Sequence, residues 1–485
     1  MEVLKKLKPE IVWSYFEEIC KVPRPSKKEE KIIEYLINFG KKHKLETKRD
    51  EIGNVLIKKA ATKGKEKLKT VVLQSHMDMV CEKNSDVKHD FEKDPIIPFI
   101  DGEWVKAKGT TLGADDGIGI AAQLALLVSK DIEHGAIECL FTVDEETGLS
   151  GAFALQPDFF DGKILLNLDS EDEGEIFIGC AGGIDTLITL KYASENVPEN
   201  HLAYKLNISG LSGGHSGDDI DKGLGNSNKI LNRFLWNASK EFKIRLADFQ
   251  GGNLRNAIPR EAYAIVAVPA KSKAKFLASF DEYTKNVKFE LKPTEPNLKL
   301  TAEETKLPKN VMSSVDQLKL VNSLYACPHG VIAMSHELKG LVETSTNLAS
   351  VKFKGGKVEI TTSQRSSIES SKYDIANMVE SVFSMIDAKI VQSEGYPGWA
   401  PNTNSEILKV SEKVYKDLFK KKPVVRAIHA GLECGLFLEK YDDLDMISFG
   451  PTLRGVHSPD ERINIETVDK FWIYLLEILK NIPTK

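Results

Sequence analysis

The sequence predicts an α/β fold into which a second domain of the α+β type is inserted. Helical and strand patterns alternate through the first ~180 residues, as in layered α/β folds. From about Ile184 the chain changes to lysine-rich segments of alternating polarity, which are typical of half-exposed strands. After the turn-rich sequence "GYPGWAPN", helical patterns and one short apolar strand return. We therefore assign residues 1–183 and 396–485 to one discontinuous domain and residues 184–395 to the insertion.

The N-terminal segment predicts two amphipathic helices and a hairpin. Pro9 opens a helix whose apolar residues recur at helical spacing, and the sequence "VPRPS" ends it. A second helix has Ile32 and Leu36 on its apolar face and is expected to end at Gly40. Strands near residues 45–49 and 54–58 follow, and the sequence "DEIG" forms the turn between them.

Three near-continuous apolar runs predict buried central strands: "KTVVLQSHMD", "GAIECLFTVDEE" and "KILLNLDSE". Each run ends in side chains that can bind metals or protons. Binding sites in open α/β sheets form beyond the carboxyl ends of the strands. The three runs are therefore expected to bring five such side chains to one edge of the sheet, namely His76, Asp78, Glu145, Glu146 and Asp169.

The insertion and the C-terminal part have simpler patterns. Within the insertion, "KYASENVPENHLAYKLNISGL", "AYAIVAVPA" and "NVKFELKP" are predicted strands with helices between them. In the C-terminal part, "NSEILKVSEKVYKDLFKK" has apolar residues at helical spacing and "DMISFG" is a short strand. A long amphipathic helix is expected from about Glu466.

The stretch "TTLGADDGIGIAAQLAL" predicts the start of a helix and permits three interpretations. Its glycines match the G-x-G-x-x-A pattern of a dinucleotide-binding loop. However, Asp115 and Asp116 would repel a pyrophosphate at that helix N-terminus. A second interpretation is a simple helix cap, for which aspartate is well suited. In the third, one aspartate bridges two metal ions, and its geometry is fixed by the start of the helix.

Composition and charge narrow the classes of function. The net charge of −5 is spread along the chain, so the sequence predicts neither a nucleic-acid-binding surface nor a polybasic membrane anchor. No apolar run approaches the ~18 residues of a membrane-spanning helix, and the N-terminus does not resemble a signal peptide. The 6 cysteines show no C-x-x-C spacing. Reduced thiols in a cytoplasmic protein are therefore expected.

Metal chemistry would account for several of the polar residues together. Catalytic zinc is bound by histidine nitrogen and carboxylate oxygen, with one position left open for water. A two-metal site also needs a carboxylate shared across ~3.5–4 Å. The sequence offers this donor set in His76, Asp115, Glu146, Asp169 and a downstream histidine. Since neighbouring loop residues point in different directions, Glu145 could then serve as a general base.

Five motifs occur together in one order: "SHMDMV", "GTTLGADDGIG", "DEETG", "NLDSE" and "GPTLRGVHSPDE". They closely resemble the motifs of the metallopeptidase M20 family, and the resemblance covers both predicted domains. Within that family the chain is most similar to bacterial dipeptidases. The resemblance implies a zinc-peptidase-like catalytic domain with a mixed central sheet flanked by helices. It also implies that the inserted α+β domain is a lid through which a homodimer forms.

The resemblance implies five metal ligands around two Zn²⁺ ions, with Mn²⁺ or Co²⁺ as alternative metals. One ion would be bound by His76 and Asp169, and the other by Glu146 and His457. Asp115 would bridge the two ions. Two dications at such a site lower the pKa of bound water enough to supply hydroxide near neutral pH.

Five further residues take roles from the same resemblance. Asp78 would fix the His76 ring, Glu145 would be the general base, and His215 in "GLSGGHSGDDI" would stabilise the oxyanion. Asn256 and Arg365 would bind the C-terminal carboxylate of the substrate. The residues alone favour a loop with positive φ for the glycine-rich segment of His215 and an exposed position on a strand for Arg365.

Three residues remain without an assigned role. His429 and Glu433 in "AIHAGLECGLF" resemble residues of the family's substrate-site loop. Asp116 is a departure, because an uncharged amide is expected beside the bridging aspartate. Its extra carboxylate would either tune metal affinity or face solvent.

The resemblance implies a cytoplasmic dizinc dipeptidase that hydrolyses L-dipeptides with free termini, including Xaa-His dipeptides. The nearest alternatives are an N-acyl amino acid deacylase and a tripeptide aminopeptidase. A non-catalytic binding protein on the same scaffold is the alternative from a different class. The presence of every proposed ligand and of the base disfavours it.

Overall fold

The protein is described here by a computed structural model that covers residues 3–485. The chain forms two compact units, and the first of them is discontinuous. The first unit contains the chain up to Gly179 together with Pro401–Ala427 and Leu432–Lys485. The second unit contains Cys180–Ala400 and Ile428–Gly431.

The helices and strands are numbered in chain order. The N-terminal part contains α1 (Glu10–Ile19), α2 (Glu30–His43), β1 (Glu46–Arg49), β2 (Val55–Lys59), β3 (Val71–His76), β4 (Pro98–Asp101), β5 (Trp104–Ala107), α3 (Ala114–Val128), β6 (Ile137–Thr142), α4 (Glu145–Gly148), α5 (Ser150–Ala154), β7 (Ile164–Asn167) and β8 (Glu175–Cys180). The middle part contains β9 (Gly182–Lys191), β10 (Ser194–Asn196), β11 (His201–Ser209), α6 (Ser227–Glu241), β12 (Arg245–Gly251), β13 (Ala262–Pro269), α7 (Lys273–Glu290), β14 (Lys299–Thr305), β15 (Asn310–Met312), α8 (Ser314–Ala326), β16 (Gly330–Met334), β17 (Val342–Lys354), β18 (Lys357–Ser366), α9 (Glu369–Ser384) and β19 (Lys389–Gln392). The C-terminal part contains α10 (Glu406–Phe419), β20 (Val424–Ile428), α11 (Glu433–Lys440), β21 (Asp445–Ser448), β22 (Leu453–Arg454), β23 (Arg462–Asn464) and α12 (Ile465–Lys480). Among these helices none is both long enough and apolar enough to span a bilayer.

An eight-stranded mixed sheet forms the centre of the first unit, in the order β1-β2-β6-β3-β7-β21-β8-β20. The four central strands are parallel, whereas β2 runs antiparallel to β6 and β8 runs antiparallel to β21. A separate four-stranded sheet has the order β22-β23-β5-β4. The predicted α/β class with a mixed central sheet is therefore confirmed.

The central strands are buried along their whole length. Every residue of β3, β6 and β7 is buried, as expected for parallel strands covered on both faces. In register, His76 lies opposite Thr142, and Gln74 lies opposite Asn167. Because these strands are parallel and aligned, the residues that follow them emerge at one edge of the sheet.

The second unit is an antiparallel sheet covered by helices. Its main path has the order β14-β11-β13-β12-β17-β18-β9-β19, and β16 pairs with β17. The helices α6, α7, α8 and α9 pack against the sheet through one apolar cluster that includes Phe234, Phe276, Leu320 and Phe383. These helices and strands confirm the α+β character predicted for this part of the chain.

Two local predictions are wrong. The sequence "NVKFELKP" is not a strand, because α7 extends through it to Glu290. The helix buries Phe276, Phe280, Tyr283 and Val287 at helical spacing, and this longer pattern outweighs the short alternation at its end.

Gly40 does not end α2, which continues to His43 and is followed by Lys44 in the left-handed conformation. Gly40 is instead buried within the helix. A Cβ at this position would lie 3.0 Å from the Thr47 Cβ. The glycine therefore permits close packing between α2 and the following strand rather than a turn.

Candidate metal centre

The residues predicted as metal ligands all belong to the first unit and come from five parts of the chain. His76 is the last residue of β3, and Asp169 follows the end of β7. Asp115 lies in the first turn of α3, and Glu146 in the first turn of α4. His457 lies in the loop between β22 and β23, where it has a φ of 59°.

The two carboxylate oxygens of Asp115 face two different histidines. The Oδ1 atom lies 2.9 Å from the His76 Nε2 atom, and the Oδ2 atom lies 3.2 Å from the His457 Nε2 atom. Asp169 Oδ1 is 3.4 Å from the same nitrogen of His76, while Glu146 Oε2 is 3.0 Å from that of His457. Asp115 is therefore common to two groups of donors.

These two groups have the chemistry of a dinuclear metal site. Each group combines one imidazole nitrogen with two carboxylates. Within each group, the potential ligand atoms lie within 4.8 Å of one another. The Glu146 Oε1 atom is buried and has no hydrogen-bond partner within the described residues. A buried carboxylate oxygen without a donor is costly unless a cation compensates it. The residues present therefore fit a pair of divalent cations bound by nitrogen and oxygen.

The backbone of Asp115 is held by a buried glutamate. Glu461 Oε2 accepts hydrogen bonds from the N–H groups of Leu112 (2.7 Å) and Gly113 (2.9 Å). Glu461 Oε1 accepts from the N–H groups of Ala114 (2.7 Å) and Asp115 (3.4 Å). Since a protein carboxylate already occupies these N–H groups, they are not available to a phosphate. The dinucleotide interpretation of this helix start is therefore excluded.

The glycines of α3 serve close packing. Asp115 and Asp116 have non-helical backbone angles, so regular helix begins after them. A Cβ on Gly119 would collide with Ser75 of β3 and with the carboxylate of Asp116. The G-x-G pattern thus lets the helix approach the sheet.

Asp78 lies two residues beyond His76, the predicted metal ligand at the end of β3. Its Oδ1 accepts from the Glu145 N–H (3.0 Å) and its Oδ2 from the Glu146 N–H (3.2 Å). The Oδ1 atom is also 3.4 Å from the His76 Nδ1 atom. Burial opposes the ionisation of Asp78, but the neighbouring His76 ring holds the pKa of Asp78 below its ordinary value. An ionised Asp78 thus contacts the His76 ring and the backbone of both glutamates.

Strong electrostatic coupling characterises the ligand set. Although burial opposes both shifts, hydrogen bonds with the two histidines lower the pKa of Asp115, and the carboxylates raise the pKa of His76 well above its ordinary value. Hydrogen bonds with Asp115 and Glu146 raise the pKa of His457 to about 11. Burial raises the pKa of Asp169 well above its ordinary value. The site thus brings together several buried carboxylates, and nearby positive charge stabilises their ionised forms.

Glu145 lies next to the predicted ligands, since its carboxylate, His76 and Glu146 offer ligand atoms within 4.8 Å of one another. Its N–H is fixed by Asp78, and no hydrogen bond of its side chain is observed within the described residues. Burial raises the pKa of Glu145 well above its ordinary value, and the nearby carboxylates of Glu146 and Glu433 add to this effect. Its carboxylate is therefore suited to gaining and losing a proton.

Two of the residues without an assigned role are buried in this unit. Asp116 is only 2% exposed, so it does not face solvent. Its Oδ1 accepts from the Gly119 N–H at 3.1 Å, and burial raises its pKa to about 8. Glu433 accepts at Oε2 from Gln74 Nε2 (2.6 Å) and from Thr142 Oγ1 (2.8 Å). Glu433 therefore connects α11 to β3 and β6, the strands that end beside the predicted ligands His76 and Glu146.

In the second unit, the backbone fixes the tautomer of His215. The Nδ1 atom of its ring accepts from the N–H groups of Gly217 (3.3 Å) and Asp218 (3.2 Å). A neutral His215 must therefore carry its proton on Nε2 and present that atom as a donor. The side chain is 33% exposed, so this donor is accessible.

Asn256 lies on the loop that pairs with the loop of His215. The Asn256 carbonyl accepts from the Ser216 N–H at 2.8 Å, and His215 forms a bridge with Ala257. Asn347 anchors the same loop by donating to the carbonyl of Ala257 at 2.9 Å. The predicted oxyanion residue His215 and the predicted substrate-binding residue Asn256 thus lie on paired loops of this unit.

Arg365 is a buried arginine on β18. Its Nη1 donates to the Tyr396 hydroxyl at 3.0 Å, whereas its Nε is buried without a partner among the described residues. It lies opposite Ser345, whose hydroxyl is 2.7 Å from the His429 Nε2 atom. Burial and the charge of Arg365 lower the pKa of His429 to about 4. Arg365 is thus a buried cation with an unsatisfied N–H, which suits a carboxylate.

Sequence analysis missed Glu461 and Arg24, which are 2% and 3% exposed. Glu461 occurs within the motif of His457, four residues after it, but its contacts are with backbone N–H groups. Arg24 was interpreted only as part of the helix-ending sequence "VPRPS". The only indication of a role for Glu461 in the sequence is its position at the end of the motif that contains His457. The sequence gives no such indication for Arg24.

Comparisons with known proteins agree with this geometry. The family model described as "Peptidase family M20/M25/M40" matches residues 72–481. The chain is 46% identical over 485 residues to the cytosol non-specific dipeptidase of Escherichia coli (strain K12), with 100% of both chains covered. The crystal structure of the aminoacylhistidine dipeptidase from Vibrio alginolyticus matches with a TM-score of 0.94 at 46% identity, covering 99% of this chain and 98% of that one. The aminopeptidase PepT from Bacillus cereus shares the fold, with a TM-score of 0.57 at 17% identity over 98% of this chain and 99% of that one.

Proposed function

Because this chain belongs to peptidase family M20/M25/M40, we propose that it is a dinuclear metallodipeptidase. Its substrates are L-dipeptides with free termini, including Xaa-His dipeptides. The similarity to a cytosol non-specific dipeptidase and to an aminoacylhistidine dipeptidase supports this substrate class. The observation that carries the proposal is the position of Asp115, whose two oxygens each face a different histidine.

In the proposed mechanism, His76 and Asp169 would hold one divalent cation, and Glu146 and His457 would hold the other. Asp115 would offer one oxygen to each position. A bound pair of cations would supply Lewis-acid activation of a water molecule and of the scissile carbonyl group. We propose Zn²⁺ as the metal, with Mn²⁺ or Co²⁺ as alternatives, because all three accept this nitrogen and oxygen donor set.

Glu145 is the proposed general base. Its carboxylate takes a proton from the attacking water and later donates that proton to the leaving amine. Asp78 supports this step because it fixes the N–H groups of Glu145 and Glu146 while contacting the His76 ring. A single carboxylate thereby orients the proposed base Glu145 and two proposed metal ligands, Glu146 and His76.

His215 is the proposed oxyanion donor. Because backbone N–H groups occupy its Nδ1 atom, the neutral ring has its proton on Nε2 and needs no rearrangement to donate a hydrogen bond. A donor that is oriented before the reaction stabilises developing negative charge more effectively than one that must reorient.

Asn256 and Arg365 are proposed to bind the C-terminal carboxylate of the substrate. The buried Nε of Arg365 supplies an N–H without a protein acceptor, and the planar guanidinium group can contact both carboxylate oxygens. Recognition of this carboxylate at a fixed place on the enzyme favours dipeptides over longer peptides.

Arg365→Ala is expected to lower kcat/KM for dipeptides by about 10- to 100-fold, because a hydrogen bond to a charged group contributes roughly 1.5–3 kcal/mol. The corresponding dipeptide amides, which lack the carboxylate, should be affected little. Steady-state kinetics on both substrate types measure the difference. Arg233→Ala, which removes an exposed arginine paired with Glu290, is the matched control. Equal losses on dipeptides and on their amides would rule out the carboxylate-binding role.

We further propose that the protein acts in the cytoplasm as a homodimer that forms through the second unit. The cytosolic name of the Escherichia coli relative supports the location. Exposed apolar residues on the second unit, such as Val315 at 64% and Met385 at 76%, are compatible with a subunit interface. Analytical ultracentrifugation of the full chain tests the oligomeric state.

A substrate panel tests the proposed activity. After metal reconstitution, the chain should release amino acids from Xaa-His and neutral L-dipeptides, and a chelator should abolish this release. N-acetyl amino acids and tripeptides should be poor substrates. Preference for N-acetyl amino acids would instead identify a deacylase, and preference for tripeptides a tripeptide aminopeptidase. Metal binding without turnover of any of these would indicate a binding protein.

A further inference from the structure

The segment that carries Asp115 is enclosed by two buried charged side chains. On one side, the Glu461 carboxylate accepts from the four successive N–H groups of Leu112, Gly113, Ala114 and Asp115. On the other side, Arg24 Nη2 donates to the Gly113 carbonyl. Both the donors and an acceptor of this short segment are thus bound by side chains from distant parts of the chain.

Arg24 also binds the end of the strand that carries His76. Its Nη1 donates to the carbonyls of Met77 (3.0 Å) and Asp78 (2.6 Å). One guanidinium group therefore joins the backbone after β3 to the backbone before α3. Gly113 makes room for it, since a Cβ there would lie 2.6 Å from Arg24 Nη2.

Glu461 lies on the same short loop as His457. Its two oxygens bind the backbone of the shared ligand Asp115, while His457 contacts the Asp115 side chain at 3.2 Å. A single loop therefore supplies one ligand directly and orients another through its backbone. Displacement of this loop would alter the donors at both proposed metal positions.

We propose that Arg24 and Glu461 are positioning residues that fix the backbone of Asp115, so that each of its carboxylate oxygens faces one metal position, and that they thereby set the metal affinity of the site. This inference rests on the proposed function only in assuming that the site binds metal ions. Neither residue forms a hydrogen bond with the side chains of the proposed ligands within the described residues. The effect of Glu461 therefore passes through the backbone of residues 112–115, and that of Arg24 through the backbone of Gly113, Met77 and Asp78.

Glu461→Gln tests the proposal with little change in shape. One carboxylate oxygen becomes an NH₂ group. Because this group is itself a donor, it cannot accept hydrogen bonds from the two backbone N–H groups that face it. We expect the affinity for Zn²⁺, measured by competition with a chromogenic chelator, to fall by about 10- to 100-fold, as is typical when an outer partner of a metal site is removed.

Glu295→Gln is the matched control. Glu295 is 3% exposed and accepts from the N–H groups of Ser212 (2.6 Å) and Gly225 (2.8 Å) in the second unit. The substitution Glu295→Gln therefore removes the same kind of contact, between a buried carboxylate and backbone N–H groups, but in the second unit rather than at residues 112–115. Melting temperatures of the metal-free variants show the cost to the fold in each case, and only Glu461→Gln should also lose metal affinity.

Arg24→Lys provides a second variant if Glu461→Gln fails to fold. Lysine keeps the charge but cannot bind three carbonyls in the geometry of a guanidinium group, so a similar loss of Zn²⁺ affinity is expected. Wild-type affinity in a folded Glu461→Gln or Arg24→Lys variant would overturn the inference. Normal metal binding by the wild-type chain without dipeptide hydrolysis would refute the proposed function and leave this inference intact.

Discussion

Glu145→Gln is expected to lower kcat for dipeptide hydrolysis by about 10²- to 10⁴-fold, the usual contribution of a general base. The amide keeps the shape of the side chain but cannot take a proton from water. KM and the metal content should change little, because the side chain of Glu145 is not one of the proposed ligands. Steady-state kinetics together with elemental analysis of the purified variant measure both quantities.

The adjacent glutamate supplies an internal control. Glu146 Oε2 lies 3.0 Å from the His457 Nε2 atom, so Glu146→Gln should lose metal as well as activity. The two substitutions are chemically identical and affect neighbouring residues. If Glu145→Gln kept a normal kcat, or if it lost metal as Glu146→Gln is expected to do, the assignment of the base would be wrong.

Asp115→Asn is expected to weaken binding of both metal ions. One of its oxygens faces His76 and the other faces His457, and the amide would replace one of these anionic oxygens with an NH₂ donor. The loss of affinity should exceed the roughly 10- to 100-fold that is typical of outer partners, and activity should fall with the metal content. Calorimetric titration of the metal-free variant with Zn²⁺ measures the effect.

Asp116→Asn is the matched control for this substitution. Asp116 is buried, and its Oδ1 accepts only from the N–H of Gly119 among the hydrogen bonds observed. An asparagine can make the same contact, so metal affinity and kcat should remain close to those of the wild type. Equal effects at the two positions would show that the charge of the pair, rather than the placement of Asp115, determines metal binding.

The fold class could be predicted because its central strands have an unambiguous pattern. The runs that form β3, β6 and β7 are short and nearly continuous in apolar residues, which is typical of parallel strands buried on both faces. The end of α7 was mispredicted because four of its residues alternate in polarity over a short distance. The burial of Phe276, Phe280 and Tyr283 shows that the preceding helical pattern decides its structure.

The family prediction is confirmed by the match over residues 72–481 and by the full-length relative. General rules about parallel sheets predict that His76 and Asp169 lie at one sheet edge, whereas their roles as metal ligands come from the resemblance. His457, however, is 342 residues from Asp115 in the chain. No periodicity links two such positions, so only the resemblance of its motif could indicate that they meet.

Residues that act through the backbone escaped prediction for a physical reason. Glu461 binds N–H groups, and every residue except proline carries one. The sequence around its partners therefore contains no complementary side chain that could reveal the contact. Arg24 likewise binds carbonyl groups only. Both residues became recognisable when their burial and their contacts with the ligand segment were known.

Anomalous diffraction at the zinc absorption edge, from crystals of the metal-reconstituted chain, tests the central claim most directly. The account predicts two peaks within about 4 Å of each other, one beside His76 and Asp169 and the other beside Glu146 and His457. The carboxylate of Asp115 should lie between them. A single peak, or two peaks that do not share Asp115, would contradict the account.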